Sequence, residues 1–309
     1  MLPDCCRSKM KIPLVLVTGF LGSGKTTFLR RIAESNPEWR LMFLVNEFSE
    51  TSIDESILAK TGTPTQSIVG GSLFCECKAG DFIRVMRETV LAAHREQALD
   101  AVFIETSGTA DPDAIGKLVQ IHGLDEYFEL CRIVSIVSPL RFKKLIRHLP
   151  VIENQILFSD LVIINKIDTA SEDTLNSVES QIRLHNNDTE IVRAKMCRTP
   201  FSLTASLLRI PQGDLSTCDA NPFATVSASW PKERSIDELY KWIEALPSSI
   251  LRIKGEIQTP EGSWQVDKTV DTTEITPILQ SNSSPSSRLV LIAHENHESI
   301  LEKAIQWFQ

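Results

Sequence analysis

Thr18-Gly19-Phe20-Leu21-Gly22-Ser23-Gly24-Lys25-Thr26-Thr27 is the stretch on which the reading of this chain turns. Before it runs Pro13-Leu-Val-Leu-Val-Thr18, a short apolar segment of the kind that lies buried in a parallel sheet. After it, Lys25 to Ser35 reads as a helix. The spacing fits G-x-x-x-x-G-K-[ST] in the strand-to-helix context that this pattern requires. Glycine permits the backbone to turn successive N–H groups toward one anion, and the N-terminus of the following helix adds its positive dipole end. Lys25 then reaches the β- and γ-phosphates, and the Thr26 hydroxyl is a ligand for the Mg²⁺ that bridges them. Gly19, Leu21, Gly22, Ser23, Gly24, Lys25, Thr26 and Thr27 are the expected cradle of a triphosphate. The bland alternative is a glycine-rich turn that matches by coincidence, and the flanking strand and helix argue against it.

Working outward, Leu41–Asn46, Ala101–Glu105, Ile133–Val137 and Leu161–Asn165 are further buried strands. Helical patterns lie between them, notably Phe82–Glu96 and Ala114–His122. Strands alternating with helices imply right-handed crossovers and a mostly parallel sheet covered by helices, an α/β P-loop NTPase domain. The pattern breaks between about Pro211 and Pro222, where a domain linker is expected. Beyond it, Ser235–Leu246 reads as an amphipathic helix with Ile236, Leu239, Tyr240, Trp242 and Ile243 for one face. Leu251–Gln258, Ser263–Val270 and Arg288–Ala293 read as strands, Ser281–Ser287 as a loop, and a last helix starts at His297. The expected division is a nucleotide domain over 1–212 and a smaller α+β domain over 223–309.

Two strand ends carry further chemistry. Asn165-Lys166-Ile167-Asp168 follows the apolar run Leu161–Ile164. A carboxylate at Asp168 accepts from both the ring N–H and the exocyclic amine of guanine, a donor pair that adenine lacks. An unpaired buried polar group supports discrimination of order 10⁴, so GTP is preferred over ATP. Alone the tetrapeptide is a common surface loop; behind a phosphate loop and at a strand end it is specific. Phe103-Ile-Glu105-Thr-Ser-Gly108 ends another strand. Glu105 sits where a carboxylate serves Mg²⁺ or the attacking water, and Gly108 can offer its N–H to the γ-phosphate. The alternative for Glu105 is a simple helix cap, since Thr106, Ser107 and Asp111 are capping types.

Composition bounds the rest. The chain has 309 residues, 42% hydrophobic and 23% charged, with a formal net charge of −8. That charge argues against a general nucleic-acid binder. No apolar run reaches the roughly 18 residues of a membrane span, and the first residues lack a signal-peptide pattern. A cytoplasmic protein is the expectation. Seven cysteines at irregular spacing do not read as a disulfide framework.

Taken together, the residues resemble the CobW-like GTPases, a group of cobalamin-synthesis proteins, nitrile hydratase activators and zinc-directing metallochaperones, similar also to the UreG and HypB maturation GTPases. The resemblance rests on Thr18–Thr27, Asn46-Glu-Phe48, Asp54, Ile104-Glu-Thr-Ser-Gly108 with Ala110-Asp-Pro112, and Asn165–Asp168. Leu251-Arg-Ile-Lys-Gly255 and Ser287-Arg-Leu-Val-Leu-Ile292 extend it into the second region. It implies slow GTP hydrolysis to GDP with Mg²⁺, and a switch that delivers a transition metal to a client metalloenzyme or corrinoid protein, or activates that client. A homodimer is compatible with it. Asn46–Asp54 would be the first switch, with Lys25, Asp54 and Glu105 as the catalytic set and Thr26, Glu47, Cys75 and Cys77 as metal-binding residues.

The sequence departs from the family at its metal signature, Gly-Cys-x-Cys-Cys. Here the stretch is Gly70-Gly71-Ser72-Leu73-Phe74-Cys75-Glu76-Cys77, so Ser72 and Phe74 stand at two thiol positions and only Cys75 matches. Serine is a poor substitute for a thiolate toward Zn, Co or Ni, and phenylalanine is no ligand. Cys77, two residues on, would point the same way in an extended segment. The glycines usual in the first switch are replaced by Ser49 and Ser52. Three functions stay open: a GTPase carrying metal at Cys75, a GTPase that activates a metalloenzyme without carrying its metal, and a P-loop kinase or ATPase acting on a small molecule.

Overall fold

The computed structural model describes residues 11–47, 61–69, 73–147, 149–203, 207–215, 223–230, 234–247, 249–269, 273–278, 287–294 and 298–306. The chain divides into two compact units, the second beginning at Ala220 for its main body.

The first unit is built on seven strands: β1 Ile12–Thr18, β2 Leu41–Glu47, β3 Thr65–Val69, β4 Ala101–Glu105, β5 Phe128–Val137, β6 Leu161–Ile164 and β7 Glu190–Arg193. Every pairing between them is parallel, in the order β3-β2-β4-β1-β5-β6-β7. The helices are α1 Lys25–Ser35, α2, α3 Ile115–Ile121, α4 Pro139–Leu145, α5 Pro150–Leu157 and α6 Glu172–His185. Helix α2 runs on from Glu76–Arg84 through a π-helical stretch, Val85–Val90, into Leu91–Glu96.

Period-two alternation decides which side chain enters which layer. Leu14 and Leu16 of β1 join one apolar cluster with Phe82, Met86 and Ile115, whereas Val15 and Val17 join another with Phe28, Leu29 and Ile32 of α1. Both faces are covered, which is why the central strands read as unbroken apolar runs. β5 begins at Phe128, five residues before the run that announces it, because its parallel pairing with β1 resumes beyond a register shift between Leu14 and Val15, with Phe128 opposite Ile12, although Glu129 is exposed.

Residues 207–215 form a strap on this unit. Leu207 and Leu215 pack on the first cluster and Pro211 is buried. Leu208 N–H donates to Asp160 Oδ1 at 2.5 Å, and Gly213 N–H to the Asp113 carbonyl at 3.0 Å. Lys117 pairs with Asp214. Of the stretch expected as a linker, 211–215 therefore lie against α3 rather than leaving the unit, and 216–222 lie outside the described residues.

The second unit is an antiparallel sheet, β11-β10-β9-β12-β8, formed by β8 Phe223–Trp230, β9 Ile250–Thr259, β10 Gly262–Thr269, β11 Thr273–Pro277 and β12 Ser287–His294. Helices α7 Ile236–Ala245 and α8 Glu298–Gln306 accompany it. Ser235 caps α7 in a reciprocal box with Glu238. Leu239, Trp242 and Ile243 are buried against Ile253, Leu291 and Leu301. Tyr240, expected on the same face, is 43% exposed. One residue on from Leu239, it is turned 100° around the axis, away from the apolar stripe.

Candidate functional site

The phosphate loop leaves the carboxyl end of β1, the central strand, flanked by β4 and β5. Gly19, Gly22 and Gly24 have φ of 127°, 70° and 118°, which side chains with a Cβ rarely adopt. At Gly19 a Cβ would collide with the Ile136 backbone, and at Gly24 with the Asn165 side chain. Lys25, 5% exposed, donates from Nζ to the Gly19 carbonyl at 2.8 Å. The ammonium thus closes the loop on itself, over the N-terminus of α1. Ser23 and Leu21 are buried in the loop, and Thr27 lies in the first turn of α1.

β4 pairs with β1 so that Glu105 lies level with Val17. The Glu105 carboxyl is buried, and Thr26 Oγ1 donates to its Oε1 at 3.2 Å. Two hard oxygen donors therefore meet at the mouth of the cradle, the donor chemistry that suits Mg²⁺. Gly108 comes so close to the phosphate loop that a Cβ there would collide with the backbone of Leu21.

Asn165 ties the loop after β6 to the loop after β1. It is 2% exposed, donates from Nδ2 to the Ser23 carbonyl at 2.9 Å and accepts from Cys197 N–H at 2.9 Å. Lys166 takes a left-handed conformation, φ 58°, which turns the chain out of β6 toward Asp168. Asp168 is paired with Lys195 at 3.2 Å. Its own backbone amide, and then the Lys195 ammonium, hold its carboxyl below the usual carboxylate range. It is thus an anion, with the Lys195 ammonium as its partner.

The loop after β7 is a partner that the sequence reading missed. Ala194 N–H donates to the Ile164 carbonyl at 2.8 Å, which brings 194–197 alongside Asn165–Asp168. Met196 and Cys197 are both left-handed, with φ of 53° and 52°. Cys197 Sγ lies 3.5 Å from the Gly24 carbonyl, and burial pushes its thiol up to about 12. A thiol held protonated is a packing group here, not a nucleophile. The available signal was Ala194-Lys195 directly after a strand neighbouring the base loop.

The expected metal residues are not gathered into one described site. Asp54, Ser72 and the segment from Phe48 lie outside the described residues, as do the side chains of Glu47 and Cys77. Among the described residues no group of three or more His, Cys, Asp or Glu is placed to hold an ion. Leu73 and Phe74 are fully buried in the first apolar cluster, so Phe74 serves as core at a family thiol position. Cys75 is buried at the N-cap of α2 and is disulfide-bonded. A disulfide sulfur offers no thiolate, so any ligand role for Cys75 requires its reduction.

A model of the CobW/HypB/UreG nucleotide-binding domain matches residues 13–193, well over half of the chain. The chain belongs to the CobW/HypB/UreG family. Among curated relatives, this family member is 31% identical over 206 residues to the zinc chaperone CobW of Pseudomonas aeruginosa, a match covering 56% of the chain and 53% of that protein. The chain thus spans about half the length of that relative. It is 24% identical over 312 residues to the zinc chaperone YeiR of Escherichia coli, covering 90% of the chain and 92% of that protein. Among solved structures, the Zn(II)-bound YjiA GTPase of E. coli aligns over 97% of the chain and 99% of its own, with a TM-score of 0.44 and 19% identity.

Proposed function

We propose that this CobW-family chain binds and slowly hydrolyses GTP, and that the cycle serves transition-metal delivery to, or activation of, a client metalloenzyme. The observation carrying the reading is the joint around Asn165. One buried carboxamide links the phosphate cradle at Ser23 to the loop holding Asp168, so triphosphate and guanine would be read by a single rigid construction.

Each residue has a part in that reading. The backbone of Gly19–Thr27 and the Lys25 ammonium bind and orient the β- and γ-phosphates. Asp168 accepts from the guanine ring N–H and amine. Thr26 and Glu105 are the oxygen donors that would hold Mg²⁺, which when bound neutralises charge on the β- and γ-oxygens. Water attacks the γ-phosphorus, the bond to the bridging oxygen breaks, and GDP and phosphate leave. Arg141 donates to the Leu21 carbonyl of the loop itself. Turnover without an added arginine is slow.

The cargo is a soft divalent ion, Zn²⁺ foremost, which the names of the curated relatives support. A second reading, activation without carriage, is favoured by the burial of Phe74 and the disulfide at Cys75. Competition between GTP and ATP tests the nucleotide assignment, and equal affinity ends it. Titration of Zn²⁺ into reduced, GTP-loaded protein separates the two metal readings. Micromolar binding lost in Cys75→Ala and Cys77→Ala supports carriage; the absence of stoichiometric binding leaves activation alone.

A further inference from the structure

Three consecutive peptide groups after β4 are each held by a specific partner. Ser107 N–H donates to Asn46 Oδ1 at 3.3 Å. The Ser107 carbonyl accepts from Ala110 N–H at 3.1 Å. The Gly108 carbonyl accepts from Gln155 Nε2 at 3.4 Å, and the same nitrogen donates to the Ala110 carbonyl at 3.2 Å. In a trans peptide the C=O and the following N–H point opposite ways. With the Ser107 carbonyl engaged inside the turn, the Gly108 N–H in the same plane is fixed facing outward from it.

The two side chains that flank this plane come from opposite sides of the fold. Asn46 ends β2 and Gln155 lies on α5; they are 5% and 1% exposed. Asn46 is further locked, since its Nδ2 donates to the Ile68 carbonyl at 3.3 Å and its Oδ1 also accepts from Leu73 N–H at 3.3 Å. Behind the turn, Gly108 abuts Leu21, whose carbonyl is held by Arg141 of α4. Burial of polar groups on this scale is costly unless each is satisfied, which favours the arrangement that keeps these hydrogen bonds.

We propose that Asn46 and Gln155 are positioning residues: two buried carboxamides that fix the Ser107–Gly108 peptide in the orientation a γ-phosphate requires, before nucleotide arrives. The proposal rests on the GTP reading above. A donor already aimed needs no reorganisation when charge develops, and so acts on the triphosphate state and not on the diphosphate. The Asn46 side chain also carries the turn's position to Leu73, two residues before Cys75, through its second amide contact.

The test compares GDP with the non-hydrolysable analogue guanylyl imidodiphosphate on the full chain, by titration, with kcat and KM for GTP measured alongside. In Gln155→Met and Asn46→Ala, GDP affinity stays within about twofold, analogue affinity falls roughly tenfold, and kcat falls at least as far. Asn46→Asp keeps an oxygen acceptor for both amides but sets a second oxygen against the Ile68 carbonyl, so it recovers part, and not all, of the analogue affinity lost in Asn46→Ala. Equal weakening of both nucleotides assigns the pair a structural role only and overturns the proposal, as does no change in either. Should Gln155→Met fail to fold, by circular dichroism, the Asn46 pair decides alone. If wild-type protein binds neither nucleotide, the guanine reading falls, and the clamp with it; if it binds both but the variants keep their preference, only the clamp falls.

Discussion

Asn165→Ala removes one side chain and breaks two joints. The buried carboxamide donates to the Ser23 carbonyl and accepts from Cys197 N–H, both at 2.9 Å. Truncation leaves a buried acceptor and a buried donor unmatched, each costing about 1–3 kcal/mol. Water admitted into the space left by the carboxamide can partner both groups, so the lower half applies, about 2–4 kcal/mol together. For a unit of this size about 1 kcal/mol corresponds to roughly 2–4 °C in melting temperature, so a fall of about 4–16 °C is expected in its calorimetric transition. Asn165→Asp separates the two joints. Its carboxylate can still accept from Cys197, but it sets a second acceptor against the Ser23 carbonyl. It should be as unstable as the alanine variant at pH 7 and recover as the pH falls toward 4, when a protonated carboxyl can donate again. A loss under about 2 °C for Asn165→Ala, or a pH-independent Asn165→Asp, would refute the idea that this amide joins the two loops.

Other expectations concern the cradle and the thiols. Lys25→Ala should abolish nucleotide binding in equilibrium titration, and unchanged turnover would put the active site elsewhere. Asp168→Asn should cut the preference for GTP over ATP by about two orders of magnitude; retained preference would remove that carboxylate from base reading. Cys131 and Cys197 have thiols pushed up to about 12 by burial, so the folded chain keeps protons that the unfolded chain releases from about pH 9. Stability should therefore fall as pH rises from about 9 toward 12, and urea midpoints of Cys131→Ser and Cys197→Ser should fall less steeply. Native alkylation of either thiol at pH 8 as fast as in denaturant would contradict this.

What could be read from the sequence was what is local in it. α1 and β4 have the expected bounds, because a buried central strand is a continuous apolar run and a phosphate loop announces its helix. The edge strands β3 and β7 were not singled out. Thr65-Gln-Ser-Ile-Val69 and Glu190-Ile-Val-Arg193 are half polar, as strands with one free edge and partial exposure can be. β8 alternates Phe-Ala-Thr-Val-Ser-Ala-Ser-Trp, a pattern weakened by small residues that contact neighbours only once the sheet forms. At the candidate site, Lys25, Thr26, Glu105 and Asp168 stand in recognisable spacings. Asn46, Arg141, Gln155 and Cys197 do not, because they hold backbone groups of remote segments and leave no pattern along the chain. The disulfide at Cys75 was likewise illegible from spacing.

The strap of residues 207–215 bears on how the protein can be dissected. A fragment cut soon after β7 would strip the amide from Asp160, whose carboxyl burial already raises above its ordinary range, and would uncover the part of the first apolar cluster on which Leu207 and Leu215 pack. A fragment ending at residue 215 keeps these contacts. Any isolated nucleotide unit that precipitates when ended before the strap is then reporting a missing edge of its own wall, and not a need for the second unit.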